Sequence, residues 1–154
     1  MSTAEKIEAW AYKIVNPFMK ALLRSPFHSY ASGSLVLLHF RGRKSGREFV
    51  TPLSYVRREN TVWLLSAHST RWWMNLREDG TPVKLVLAGE MLTGKAKLWD
   101  GDSDALRDRV RRYITALPRD AKFYAIELDD DQKPVEASLA KVAPELVFVE
   151  VELD

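Results

Sequence analysis

The chain begins with apolar residues at helical spacing. Ile7, Trp10, Ala11, Ile14, Val15, Phe18, Met19 and Leu22 fall on one stripe, and Ser2 with Glu5 three positions later has the form of a capping box. This predicts an amphipathic helix, kinked or divided near Asn16 because Pro17 cannot donate to the preceding turn and clashes with it. Lys6, Lys13 and Lys20 share its opposite face. Such a helix packs on the domain's own core, covers a pocket, or makes peripheral contact with an anionic membrane surface.

From Ser34 the period shortens to two. Leu35 to Phe40 predicts one strand, Phe49 to Val56 a second and Thr61 to Ser66 a third, joined as a meander by the turns Arg41 to Arg47 and Arg57-Arg58-Glu59-Asn60. His68 to Arg77 predicts a short helix carrying Trp72, Trp73 and Leu76, with Ser69 and Thr70 as cap candidates. Val83 to Ala88 and Glu90 to Leu98 meet at Gly89 in a tight hairpin. Asp102 or Ser103 caps a helix with the stripe Ala105, Leu106, Val110, Tyr113, Ile114 and Leu117, stopped by Pro118. A weaker helical stretch surrounds Phe123 to Ile126, Leu128 to Pro134 is a polar loop, and Leu146 to Leu153 closes the chain as a strand. About six strands joined by tight turns predict a mainly β fold of the α+β kind: a small antiparallel barrel with flanking helices, in a single domain spanning residues 1–154.

Composition narrows the chemistry. With 154 residues a sizeable core is within reach, and the absence of cysteine excludes disulfides, thiolate nucleophiles and thiolate-bound metals. The three histidines have no metal-ligand spacing, so no metal site is expected. The net charge of +2 is too small for a general nucleic-acid binder, but it is unevenly spread. Between residues 41 and 77, Arg41, Arg43, Lys44, Arg47, Arg57, Arg58, Arg71 and Arg77 face only Glu48 and Glu59, which suits a small anionic ligand. No apolar run reaches membrane-spanning length and no signal peptide is evident, so a soluble, cytoplasmic protein is expected, with the first helix as the one point of membrane association.

The turn Arg41-Gly42-Arg43-Lys44-Ser45-Gly46-Arg47 is the clearest candidate site. Glycines let successive N–H groups converge, and the cations add the charge a phosphate would neutralise. The alternative is a solvated hairpin tip. His39, in an apolar strand, suits a hydrogen-bonded core position, whereas His68 ends a strand where clefts form and is a candidate for facing a ligand. Adjacent Trp72 and Trp73 point about 100° apart on a helix, so one is expected in the core and the other in the core or at a groove. No hydrolytic constellation is present. An enzyme built from these parts needs a cofactor to carry the reaction.

The ordered set Gly42-Arg43-Lys44-Ser45-Gly46, Thr51-Pro52-Leu53 with Tyr55, and Trp72-Trp73-Met74-Asn75-Leu76 resembles the deazaflavin-dependent nitroreductase family. The resemblance runs from about Asn16 to the final strand and is densest from Leu35 to Leu76. It implies a split β-barrel of the flavin-reductase-like superfamily, binding coenzyme F-420 and passing hydride to a quinone, nitro compound or activated double bond. It places Arg43, Lys44 and Ser45 at the coenzyme's phosphate and the start of its anionic tail, Thr51 and Pro52 along the same groove, Ser66 and Ala67 near the ring, and Trp72 and Asn75 around the pocket. The loop Ala67-His68-Ser69-Thr70-Arg71 is shorter than in many relatives and lacks glycine, and Phe49 stands where relatives can carry a basic residue. Arg71 is expected to supply part of the anion binding.

Trp10, His68, Tyr113 and Tyr124 are the substrate-pocket candidates, with core packing as the alternative for each, and the proton for the product comes from water or a tyrosine. The implied partner is a small-molecule electron acceptor, with no nucleic acid, and the protein acts as a monomer or homodimer. The rival readings are an FMN-dependent reductase or oxidase of the same fold, and a non-catalytic deazaflavin-, flavin- or tetrapyrrole-binding protein.

Overall fold

A computed structural model describes residues 35–154; the first helix, with Trp10 and the proposed membrane-facing lysines, lies outside the described residues. Seven strands form one antiparallel sheet: β1 (Leu35–Arg41), β2 (Glu48–Ser54), β3 (Val56–Arg58), β4 (Thr61–Ala67), β5 (Thr81–Leu87), β6 (Glu90–Trp99) and β7 (Leu146–Leu153). Their order is β2-β1-β5-β6-β7-β4-β3. The sheet is strongly curled. Val36, Leu38 and Phe40 of β1 share one cluster with Val62 and Leu64 of β4, four places away, which a flat sheet would not permit. β2 also comes against β4, so the curl is a barrel left open along one seam.

The expected second strand is two strands. It breaks at Tyr55: β2 stays with β1, while β3 leaves for β4 at the other end of the sheet. The three-strand meander is therefore corrected, because β4 finds its main partner in β7 from the end of the chain. Alternation reveals a strand's faces but not which neighbour takes its edge.

β4 and β7 are covered on both sides, which is why Val62–Leu65 and Leu146–Val149 are apolar without interruption. Val147, Val149, Val151 and Leu153 face the inside of the curl. Leu146 and Phe148 face a second cluster under α1 (Asp104–Ala116) and α2 (Glu136–Val142). Ser103 caps α1 as expected, accepting a bond from the Leu106 N–H at 3.2 Å, and Leu106, Val110, Tyr113 and Ile114 form its buried stripe. α2 adds a helix where no element is expected. The Phe123 to Ile126 stretch is not helical: it is a series of turns ending at Ala125 with φ of 58°, because Phe123 points to solvent while Ile126 enters the core.

The Trp72–Leu76 segment is a single 3-10 helix, shorter than expected. Its start at Arg71 has no side-chain cap, so Ser69 and Thr70 do not act as caps. Both tryptophans are buried in the core cluster inside the curl.

Candidate functional site

β3 covers only Thr61–Trp63 of β4, so Leu64–Ala67 have an open edge along the seam. An open edge leaves carbonyls that need donors. Residues two apart point these groups the same way, and here the Leu65 and Ala67 carbonyls are both met by side-chain hydroxyls. Tyr124 donates to Leu65 at 2.9 Å, and Thr70 donates to Ala67 at 2.7 Å.

A relay of hydrogen bonds runs from here to the basic turn. The Trp72 indole N–H donates to Ser66 Oγ at 3.0 Å, and Ser66 Oγ lies 2.7 Å from Thr70 Oγ1. Since Thr70 donates onward to Ala67, the consistent direction is Trp72 to Ser66 to Thr70 to Ala67. The Asn75 amide donates to the Trp72 carbonyl at 3.0 Å, and its oxygen accepts the Arg43 backbone N–H at 2.9 Å, 32 residues away in sequence. Six sequence-predicted or adjoining residues, Arg43, Asn75, Trp72, Ser66, Thr70 and Ala67, thus belong to one bonded series.

The turn itself is tightly specified. The Gly42 and Gly46 N–H groups bond the carbonyls of Arg47 and Gly42, and the Arg47 N–H bonds Ser45 Oγ at 3.2 Å. A Cβ at Gly42 would lie 2.7 Å from the Phe49 ring, and Gly46 has φ of 68°. With four of its N–H groups engaged within the turn or by Asn75, this loop offers an anion less converging backbone than its glycines suggest. Its attraction rests on the exposed side chains of Arg43, Lys44 and Arg47 and on the Ser45 hydroxyl.

At the other end of the relay is a cleft of about 730 Å³, lined by Ala67, His68, Asp100, Phe123, Tyr124 and Glu145 among others. The His68 ring packs on Trp73 at 4.7 Å between centroids, and its backbone N–H bonds Glu145. Its Nε2 is 3.9 Å from an Asp100 carboxylate that Arg77 holds at 3.1 Å. Burial, reinforced by Asp120, pushes the Tyr124 hydroxyl pKa up, so it stays a donor.

Other candidates are placed elsewhere. Tyr113 is fully buried on the inner face of α1, its hydroxyl on Asp120 at 3.0 Å and its pKa pushed up chiefly by burial; it packs rather than walls the cleft. Thr51 and Pro52 lie on β2 opposite Leu38 and Leu37, on the other bank of the seam. Arg71 is exposed where the 3-10 helix begins. Ser66 is buried with its hydroxyl inside the relay. His39 lies outside this site: it donates to Glu48 at 3.0 Å and borders a separate cavity of about 350 Å³. Asp100, Phe123 and Glu145 carry no motif and come to the cleft only through the fold. No group of residues suited to a metal occurs among the described residues.

A family model described as F420H(2)-dependent quinone reductase matches residues 25–134. A curated Mycobacterium tuberculosis protein bearing the same description is 33% identical over 88 residues, covering 47% of this chain and 72% of the relative. Among solved structures, a Listeria innocua protein carrying the name of pyridoxamine 5'-phosphate oxidase matches with a TM-score of 0.51 and 10% identity over 79% of this chain and 84% of the other. A Bacteroides thetaiotaomicron protein named for 5-nitroimidazole antibiotic resistance matches with a TM-score of 0.50 and 10% identity, over 82% and 77%. At these identities the structural matches speak for the split-barrel fold alone.

Proposed function

Since the chain belongs to the F420H(2)-dependent quinone reductase family, we propose that its basic hairpin holds the anionic arm of the coenzyme and that the cleft beside His68 and Tyr124 receives the electron acceptor. The protein is an oxidoreductase and its coenzyme is the deazaflavin F420. When bound, the reduced coenzyme supplies a hydride.

The chain's own residues supply position. Arg43, Lys44 and Ser45 fit a phosphate and the start of a carboxylate-rich tail, being exposed and grouped on a turn of fixed shape. The observation that carries the reading is the bond from Arg43 to Asn75 and on through Trp72 and Ser66 to the cleft. Through it the anion-holding turn and the acceptor-receiving cleft keep one spacing, as near-attack placement requires. Thr51, Pro52 and Ala67 border the seam in which the ring would lie, and Arg71 adds charge at its margin. Quinones are the acceptors that the family description names; nitro compounds and activated double bonds share their electron-poor character and are proposed as further acceptors.

Titration with oxidised and reduced F420 tests this through quenching of the five tryptophans. Saturable quenching followed by coenzyme oxidation with menadione is expected. Binding without oxidation would recast the protein as a carrier, and no binding would end the proposal.

A further inference from the structure

Reducing a quinone to a hydroquinone requires a hydride and a separate proton. We infer that His68 delivers that proton, acting as a general acid at the mouth of the cleft; this rests on the cleft being the acceptor site. Among the described residues the other sources are poorly placed. Tyr124 already donates its hydroxyl proton to Leu65, and Tyr113, on the buried face of α1, donates its own to Asp120. The chain has no cysteine, and His39 is committed to Glu48 beside a different cavity. Imidazole is the side chain whose ordinary range lets it both carry and release a proton near neutrality.

The setting of His68 suits the task. Its side chain is about half exposed, with 52% of its surface accessible, so solvent can recharge it. Its ring is held by the Trp73 face and its backbone by Glu145. The charged and titratable groups around it are Asp100 after β6, Arg77 after the 3-10 helix, Glu145 before β7 and Tyr124 after α1. Asp100 stands 3.9 Å from the His68 Nε2 and is itself held by Arg77 at 3.1 Å. In the step itself the N–H bond of the imidazolium breaks and an O–H bond forms on the acceptor oxygen that hydride addition has left anionic. The products are hydroquinone and neutral imidazole, and water restores the proton.

The test begins with the oxidised-coenzyme complex, in which the few histidine side-chain signals are followed by NMR as menadione is added, with His68→Gln assigning its own. A menadione-dependent shift of the His68 signal is expected. In turnover, His68→Gln should lower kcat about 100-fold and flatten the wild type's loss of rate toward alkaline pH, with coenzyme affinity and melting temperature unchanged. If neither His68 nor Tyr124 responds to menadione although the coenzyme binds, the cleft is not the acceptor site and the inference falls with it. If His68 responds but the variant keeps the wild-type rate and pH profile, the cleft stands and the proton-transfer role is overturned.

Discussion

Two of the sheet's three hairpins, the β1–β2 and the β5–β6, differ instructively. The β5–β6 turn is as short as a hairpin allows, with Ala88 and Gly89 both at positive φ (51° and 81°), a geometry matched to the twist of its strands. It joins two strands and presents the exposed Met91 beside it. The β1–β2 turn is longer, carries three exposed cations, and is tied by Asn75 to an element 32 residues away. A turn that only reverses the chain needs nothing outside itself. One anchored to a distant helix has its position, and not just its shape, under control, and that is what a ligand-holding loop requires.

The contrast can be broken at several points. The largest effect is expected from removing charge: Arg43→Ala with Lys44→Ala should raise the coenzyme dissociation constant roughly 10- to 100-fold, while Met91→Lys at the other hairpin leaves it unchanged, as read by tryptophan quenching. Equal responses at the two turns would dissolve the distinction. A middle-sized effect separates shape from binding. Gly46→Ala and Gly89→Ala each force a side chain into left-handed backbone with open space around it, costing about 1–2 kcal/mol of stability by thermal melting, yet only the first should also weaken coenzyme binding.

The smallest effect concerns acid. The bond from His39 holds the Glu48 carboxyl below its ordinary value of 4.5. A carboxyl depressed on folding contributes stability above its unfolded pKa, and that contribution is lost as pH falls through the folded value. The first hairpin should therefore loosen below about pH 4.5, seen as faster amide exchange at Gly42 and Gly46 relative to the pH trend of the second. Glu48 is largely exposed, so the change is modest.

How far these features can be read from the sequence depends on how local their causes are. The basic turn, the Gly89 hairpin, the Ser103 cap and the last strand are set by residues within a few positions, and each stands where its pattern puts it. The break at Tyr55 is not local, because only the arrival of β7 beside β4 decides which edge β3 joins. The same holds for the site. Arg43 and Asn75 are legible as motif residues, but their direct bond is not, and Asp100 and Glu145 reach His68 through long-range packing that no spacing encodes. Tyr113 and Tyr124 look alike as aromatic members of one region. Only burial separates the one sealed in the core from the one at the cleft.

The open border of β4 has a further consequence. Exposed strand borders invite another chain to add on, the first step toward aggregates. Here two of the carbonyls such an intruder would need are already occupied by the Thr70 and Tyr124 hydroxyls, and the facing strand carries Pro52, which has no N–H to give. The gap that makes room for a ligand is thereby closed to unwanted self-association.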